Sequence, residues 1–279
     1  MLQDNMKNKG LLLSFLIIVT SWSWPLAAQQ QPQEIVWAAN IAPPFHIVSG
    51  PYANQGLCDA LVDAFKEALP NTKHEVEYLP QLRIGMLWEQ EKNICFPCMI
   101  HRSNEQELIA FSNPTHTYPT HGIITRPGLV AELTEKYGNP IDLELLLRDQ
   151  LYRFGQPVGR LYGKLQPLLE EYIIGTPQHI DVSGDTANTS MMSMILSKRL
   201  DFTIDYPMVK RFYEETEGRS LAFIPVTQLV GDIILGAVAC TKNAWGDDTI
   251  RQINEVIPEV QNNPHFIQAQ DFWLESSPR

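Results

Sequence analysis

Cys95-Phe96-Pro97-Cys98 is the most chemically suggestive string in the chain. Two thiols at this spacing form a redox pair when a helix begins at the first and lowers its pKa. The flanks do not supply that helix: Asn93 to Ile100 reads as strand and turn, so these cysteines are expected to serve structure. With Cys58 and Cys240 the cysteines number four, an even count that permits disulfides in three complete pairings. Cys95, Cys98, His101 and His116 would furnish zinc ligands, but the spacing matches no zinc pattern, and His116 and His121, five apart, do not align on a helix. No metal or other cofactor is expected.

Three further strings carry candidate binding chemistry. Gly155 to Gly163 is glycine-rich, yet it has neither the Gly-Lys-Ser/Thr ending of a phosphate loop nor the dinucleotide spacing. It reads either as a plain tight turn or as one whose N–H groups, before a helix from Leu165, meet an anion with Arg160 as charge partner. Asp201 and Asp205 lie on one face of a short strand. Asp205, at its carboxyl end, is placed to receive a ligand ammonium or hydroxyl; the plainer alternative is a turn-capping Asp201 and a solvated Asp205. Phe45 follows Pro43 and Pro44, whose stiffness suits either a core plug or an aromatic platform for a ligand, and Tyr118 has the same two readings.

The elements that must position these residues alternate. Glu34 to Asn40 is a strand, Leu57, Leu61, Ala64, Phe65 and Ala68 recur at helical spacing, and Glu75 to Leu79 is a second strand. A short helix follows in which Leu82, Met86 and Leu87 share a face, and then the segment Asn93 to Ile100. That alternation predicts an α/β layer with a largely parallel sheet, which binds ligands at the carboxyl ends of its strands. Helices are expected over Leu143 to Leu151, Leu165 to Tyr172, Ser190 to Leu200, Gly246 to Val256 and Pro264 to Leu274, with Ile233 to Ala239 extended.

The amino terminus carries Lys7 and Lys9, an apolar run from Leu11 to Val19, and small residues up to Ala28. This order is that of a cleaved secretory signal, and the run is far shorter than the ~20 residues of a spanning helix. The expectation is an exported, soluble protein. The net charge of −11 becomes −12 once Asp4, Lys7 and Lys9 are removed. Without a basic stripe to displace counterions, nucleic acid is not an expected partner.

Pro43-Pro44-Phe45 after the first strand, Phe111-Ser112-Asn113-Pro114, Asp201 to Asp205, and Cys240-Thr241-Lys242 with Trp245-Gly246 occur in an order and separation that resembles the family 3 extracellular solute-binding proteins, the periplasmic receptors of amino-acid import. The resemblance implies a two-lobed periplasmic binding protein type II architecture, α/β in class, with two crossover strands. It would divide the chain into a signal peptide at 1–28, a first lobe at 34–118 plus 240–279, crossovers at 119–126 and 230–239, and a second lobe at 127–229. It implies a monomer in the periplasm that binds a small polar solute for an inner-membrane ABC transporter or a sensory receptor. An enzyme on the same scaffold, of dehydratase or peptidoglycan-lyase type, is the alternative.

Residue by residue, the resemblance places Asp205 where such receptors hold an α-amino group and Phe45 in their aromatic contact zone. The arginine that holds an α-carboxylate would fall at Glu105, which departs from the pattern; Arg102 and Arg160 are the candidates to replace it. A carboxylate there would repel a ligand carboxylate. The expected cargo therefore widens to an amine, amide or short peptide. All four cysteines remain disulfide candidates.

Overall fold

The structure, a computed structural model, describes residues 34–101, 107–184 and 186–274. Arg102, Glu105 and the 1–28 leader lie outside the described residues.

The first half of the chain begins as strand β1 (Glu34–Ala39), helix α1 (Leu57–Ala68), β2 (Lys73–Tyr78), α2 (Gln81–Glu89) and β3 (Cys95–Ile100). β4 (Ile109–Phe111), β5 (His116–Tyr118) and β6 (Gly122–Thr125) follow. The middle holds α3 (Val130–Tyr137), α4 (Leu143–Arg148), β7 (Phe154–Pro157), α5 (Gln166–Tyr172), β8 (His179–Val182), α6 (Ala187–Leu196) and β9 (Phe202–Asp205). The chain closes with α7 (Pro207–Glu217), β10 (Ala222–Pro225), β11 (Ile234–Thr241), α8 (Ala244–Gln261) and α9 (Pro264–Leu274).

These strands form two sheets, one in each lobe. The first has the order β2-β1-β3-β11-β4, with β5 also on β11; the second has the order β10-β6-β9-β7-β8. β1 runs parallel to both β2 and β3, as α/β crossovers require, whereas the returning β11 is antiparallel to β3, β4 and β5. β4 and β5 pair with successive parts of β11. Between them Ser112 exchanges hydrogen bonds with Val238, its N–H donating to the Val238 carbonyl and its Oγ accepting the Val238 N–H. The Phe-Ser-Asn-Pro string is thus a break in an edge strand.

Alternation of apolar residues explains the packing. Ile35 and Trp37 of β1 are fully buried, and Trp37 stacks on Phe65 of α1 at 5.5 Å. α2 is a correction. Leu82 and Met86 are 85% and 47% exposed, and the buried pair is Ile84 and Trp88. Two residues further along a helix is a rotation of ~200°, so this short helix has two nearly opposite apolar stripes, and docking on the sheet selects one. α8 runs past the expected Val256, through Pro258 to Gln261, because Ile257 and Val260 bury against the core.

Two disulfides reinforce the first lobe. Cys95 of β3 joins Cys240, its register partner on β11, and Cys58 of α1 joins Cys98. The Cys-x-x-Cys string is therefore split between two bridges. Among the described residues no helix is long and apolar enough to cross a membrane.

Candidate functional site

The loop after β1 is held by the amino end of α1. A helix leaves its first N–H groups without intrahelical partners. Here Leu57 N–H donates to the Pro44 carbonyl (3.0 Å), Cys58 N–H to the Phe45 carbonyl (2.9 Å), and Gly56 N–H to Asp59 Oδ2 (3.0 Å). A Cβ at Gly56 would lie 2.3 Å from the Phe45 carbonyl oxygen, so only glycine permits this approach. The result is a rigid platform: Phe45 meets Tyr118 at 5.8 Å and Tyr206 at 5.9 Å, with Tyr118 and Tyr206 5.7 Å apart. Tyr118 donates its hydroxyl to the Cys98 carbonyl at 3.1 Å.

The facing wall comes from the second sheet. β9 is its central strand, and all four of its residues are buried. Asp205 ends the strand, Tyr206 is extended, and Pro207 opens α7 in the first helical turn, where its missing donor is not needed. Asp205 Oδ1 accepts from Tyr206 N–H (2.8 Å) and from Arg160 Nη2 (3.0 Å). Its Oδ2 is buried and has no partner among the described residues. Arg160 comes from the glycine-rich segment after β7. Its guanidinium lies over the rings of Tyr162 and Tyr206, at 5.8 and 5.9 Å.

Between these walls lies a cavity of about 250 Å³, lined by Phe45, His46, Tyr118, His121, Arg160 and Tyr206, with Asn40, Gln81 and the Cys58–Cys98 bridge around them. Asp205 does not line it; the half-buried Arg160 does. Burial pushes the Asp205 carboxyl up against the opposing pull of Arg160, while Asp205 in turn raises the guanidinium's hold on its proton. His121 Nε2 is 3.4 Å from Arg160 Nη2, and burial, aided by that positive charge, lowers its pKa to about 3. The imidazole is neutral and accepts from the arginine.

Of the residues singled out in the sequence, Phe45, Tyr118, Arg160 and Asp205 come together at this cavity, the first three on its surface and Asp205 behind Arg160. Arg102 and Glu105 lie outside the described residues. Asp201 is tied into the second lobe by Arg126 (3.0 Å) and Arg153 (3.2 Å). His46, His121 and Tyr206 join the cavity surface without any short-range pattern that marks them as a set, although His46 follows Phe45, Tyr206 follows Asp205 and His121 stands in the sequence only as a candidate metal ligand. The cysteines offer no thiolate, and no group of three or more metal-binding side chains occurs among the described residues.

No protein-family model matches the sequence. No curated protein matches it either. Solved structures do match. A Salmonella typhimurium periplasmic binding protein of high arginine specificity superposes with a TM-score of 0.59 at 14% identity, over 87% of this chain and 100% of that one. The AvGluR1 ligand-binding domain in complex with alanine gives 0.63 at 13% identity, over 89% and 97%. The chain has the two-lobed periplasmic-binding-protein fold. An ancestral amino-acid-binding protein described as a precursor of cyclohexadienyl dehydratase shares this fold as well, with a TM-score of 0.61 at 13% identity over 87% and 95%. In such a binding-protein fold the carboxyl ends of β1 and β9 face one cavity, the usual ligand position for α/β sheets.

Proposed function

We propose that this chain is a periplasmic receptor that holds a small polar solute, an amino acid or a related amine, amide or short peptide, between its lobes and delivers it to an ABC-type transporter. The observation that carries the reading is the cavity itself: Phe45 and Tyr118 on one wall and Arg160 and Tyr206 on the other surround a volume of about 250 Å³. That space is below the ~300–1,000 Å³ of drug-sized pockets and suits a metabolite. The aromatic side chains receive an apolar body, and Arg160 offers N–H donors to a carboxylate or carbonyl. The segments 119–126 and 230–239 serve as the crossovers about which the lobes close.

Asp205 neutralises Arg160 from behind, so the cavity meets an ion pair of no net charge. A zwitterion or neutral amide enters such a site at lower electrostatic cost than a bare cation, which the outward-facing guanidinium repels. Calorimetric titration with the standard amino acids, their amides, diamines and dipeptides tests the reading. Saturable binding without turnover, weakened by Arg160→Met, is expected; no binding across the panel would overturn it.

A further inference from the structure

We infer that His46 is a second polar anchor of the ligand: Asp59 fixes its tautomer so that Nε2 offers a lone pair to the cavity, selecting solutes with an N–H or O–H donor. This rests on the binding reading above.

The imidazole is 2% exposed and lines the cavity. Its Nδ1 is 2.7 Å from Asp59 Oδ1, and Asp59 Oδ2 accepts the N–H groups of Ile47 and Gly56, both at 3.0 Å. A carboxylate that accepts at both oxygens requires the proton to lie on Nδ1, which in a neutral ring leaves Nε2 as an acceptor. Nε2, on the far side of the ring from Asp59, is buried and has no partner among the described residues. A buried polar atom without a partner, on a ring that lines the cavity, is an acceptor that a ligand donor can satisfy.

The structural role of Asp59 does not account for this arrangement. Capping α1 and holding the Phe45 loop needs the two backbone bonds to Oδ2. It does not need an imidazole whose second nitrogen is left over. The ring is also steadied by the edge of Tyr78, at 6.0 Å and 75°. Arg160 gives the cavity donors and His46 gives it an acceptor. Asp59 behind the ring adds negative potential on this side of the cavity, which favours the ammonium end of a zwitterion whose carboxylate meets Arg160.

Two measurements test the assignment. Nitrogen NMR of the free protein reads the proton positions without any ligand; a proton on Nδ1 and none on Nε2 is expected, and a proton on Nε2 would overturn the proposal. Calorimetry then compares the standard amino acids with their fully N-methylated counterparts. The wild type is expected to prefer the unmethylated solute by roughly tenfold or more. His46→Phe, which keeps a ring but removes the acceptor, should abolish that preference, and His46→Gln should retain part of it. If solutes bind and His46→Phe discriminates as the wild type does, this assignment fails while the receptor reading stands. If nothing binds the wild type, the receptor reading falls and takes the anchor with it.

Discussion

Arg160 Nη2 lies 3.0 Å from Asp205 Oδ1, although the two residues are 45 positions apart in the chain. The pair places a guanidinium between the buried carboxylate and the cavity, so the residue that a solute meets is the cation. Asp205 is left to orient Arg160 and balance its charge.

Removing the cation should therefore cost stability as well as binding. Arg160→Met leaves Asp205, which is fully buried, without its counter-charge, a change of about 3 kcal/mol in urea unfolding. The carboxyl is already raised by burial, and without Arg160 it rises further. A folded-state acid with a raised pKa binds protons more readily than the unfolded chain. The deficit of the variant is thus full above that pKa and shrinks as pH falls through it. Arg160→Met combined with Asp205→Asn should recover part of the loss; equal stability of the wild type and Arg160→Met would contradict the buried-pair account.

Acid should weaken the fold by a separate route. Burial lowers the pKa of His116 to about 3; burial with the Arg160 charge does the same for His121, and burial lowers His74. These rings are neutral in the fold and titrate near 6.5 when unfolded. The stability they contribute is complete above about pH 6.5 and is lost as pH falls toward their folded values. Each of the first two contributes a slope of about 1.4 kcal/mol per pH unit within that window. Unfolding midpoints measured between neutral pH and mild acid should show a shallower slope for His116→Gln, and an unchanged slope would refute the neutral assignment.

The disulfides should separate stability from binding. Cys95–Cys240 spans 145 residues and Cys58–Cys98 spans 40, so the longer closure constrains the unfolded chain more. Replacing either pair by alanine is expected to cost about 3–5 kcal/mol, the larger figure for Cys95 with Cys240. Only Cys58 and Cys98 border the cavity. Calorimetry on the two double variants should find reduced affinity for the Cys58/Cys98 pair alone; equal losses would argue against a local role for that bridge.

Much of this architecture was legible because local patterns are determined by neighbours in the chain. The helical spacing of Leu57, Leu61 and Phe65 and the strand pattern of Ile35 and Trp37 act over a few residues, and both elements form where that pattern places them. Pro43-Pro44-Phe45 and the end of β9 were recognisable as a loop and a strand terminus for the same reason. The face of α2 was not legible, since its two apolar stripes differ only in which one meets the sheet.

The sequence by itself determined the alternating α/β elements, the stiff lead into Phe45 and an even set of cysteines free to bridge. The tertiary structure alone decided that Cys95 pairs with Cys240, that Arg160 covers Asp205, and that His46 is held by Asp59 with its other nitrogen left over. Each of those contacts joins segments whose separation carries no periodic signal. Their meeting depends on how two sheets and their helices bury apolar area together, a property of the whole chain.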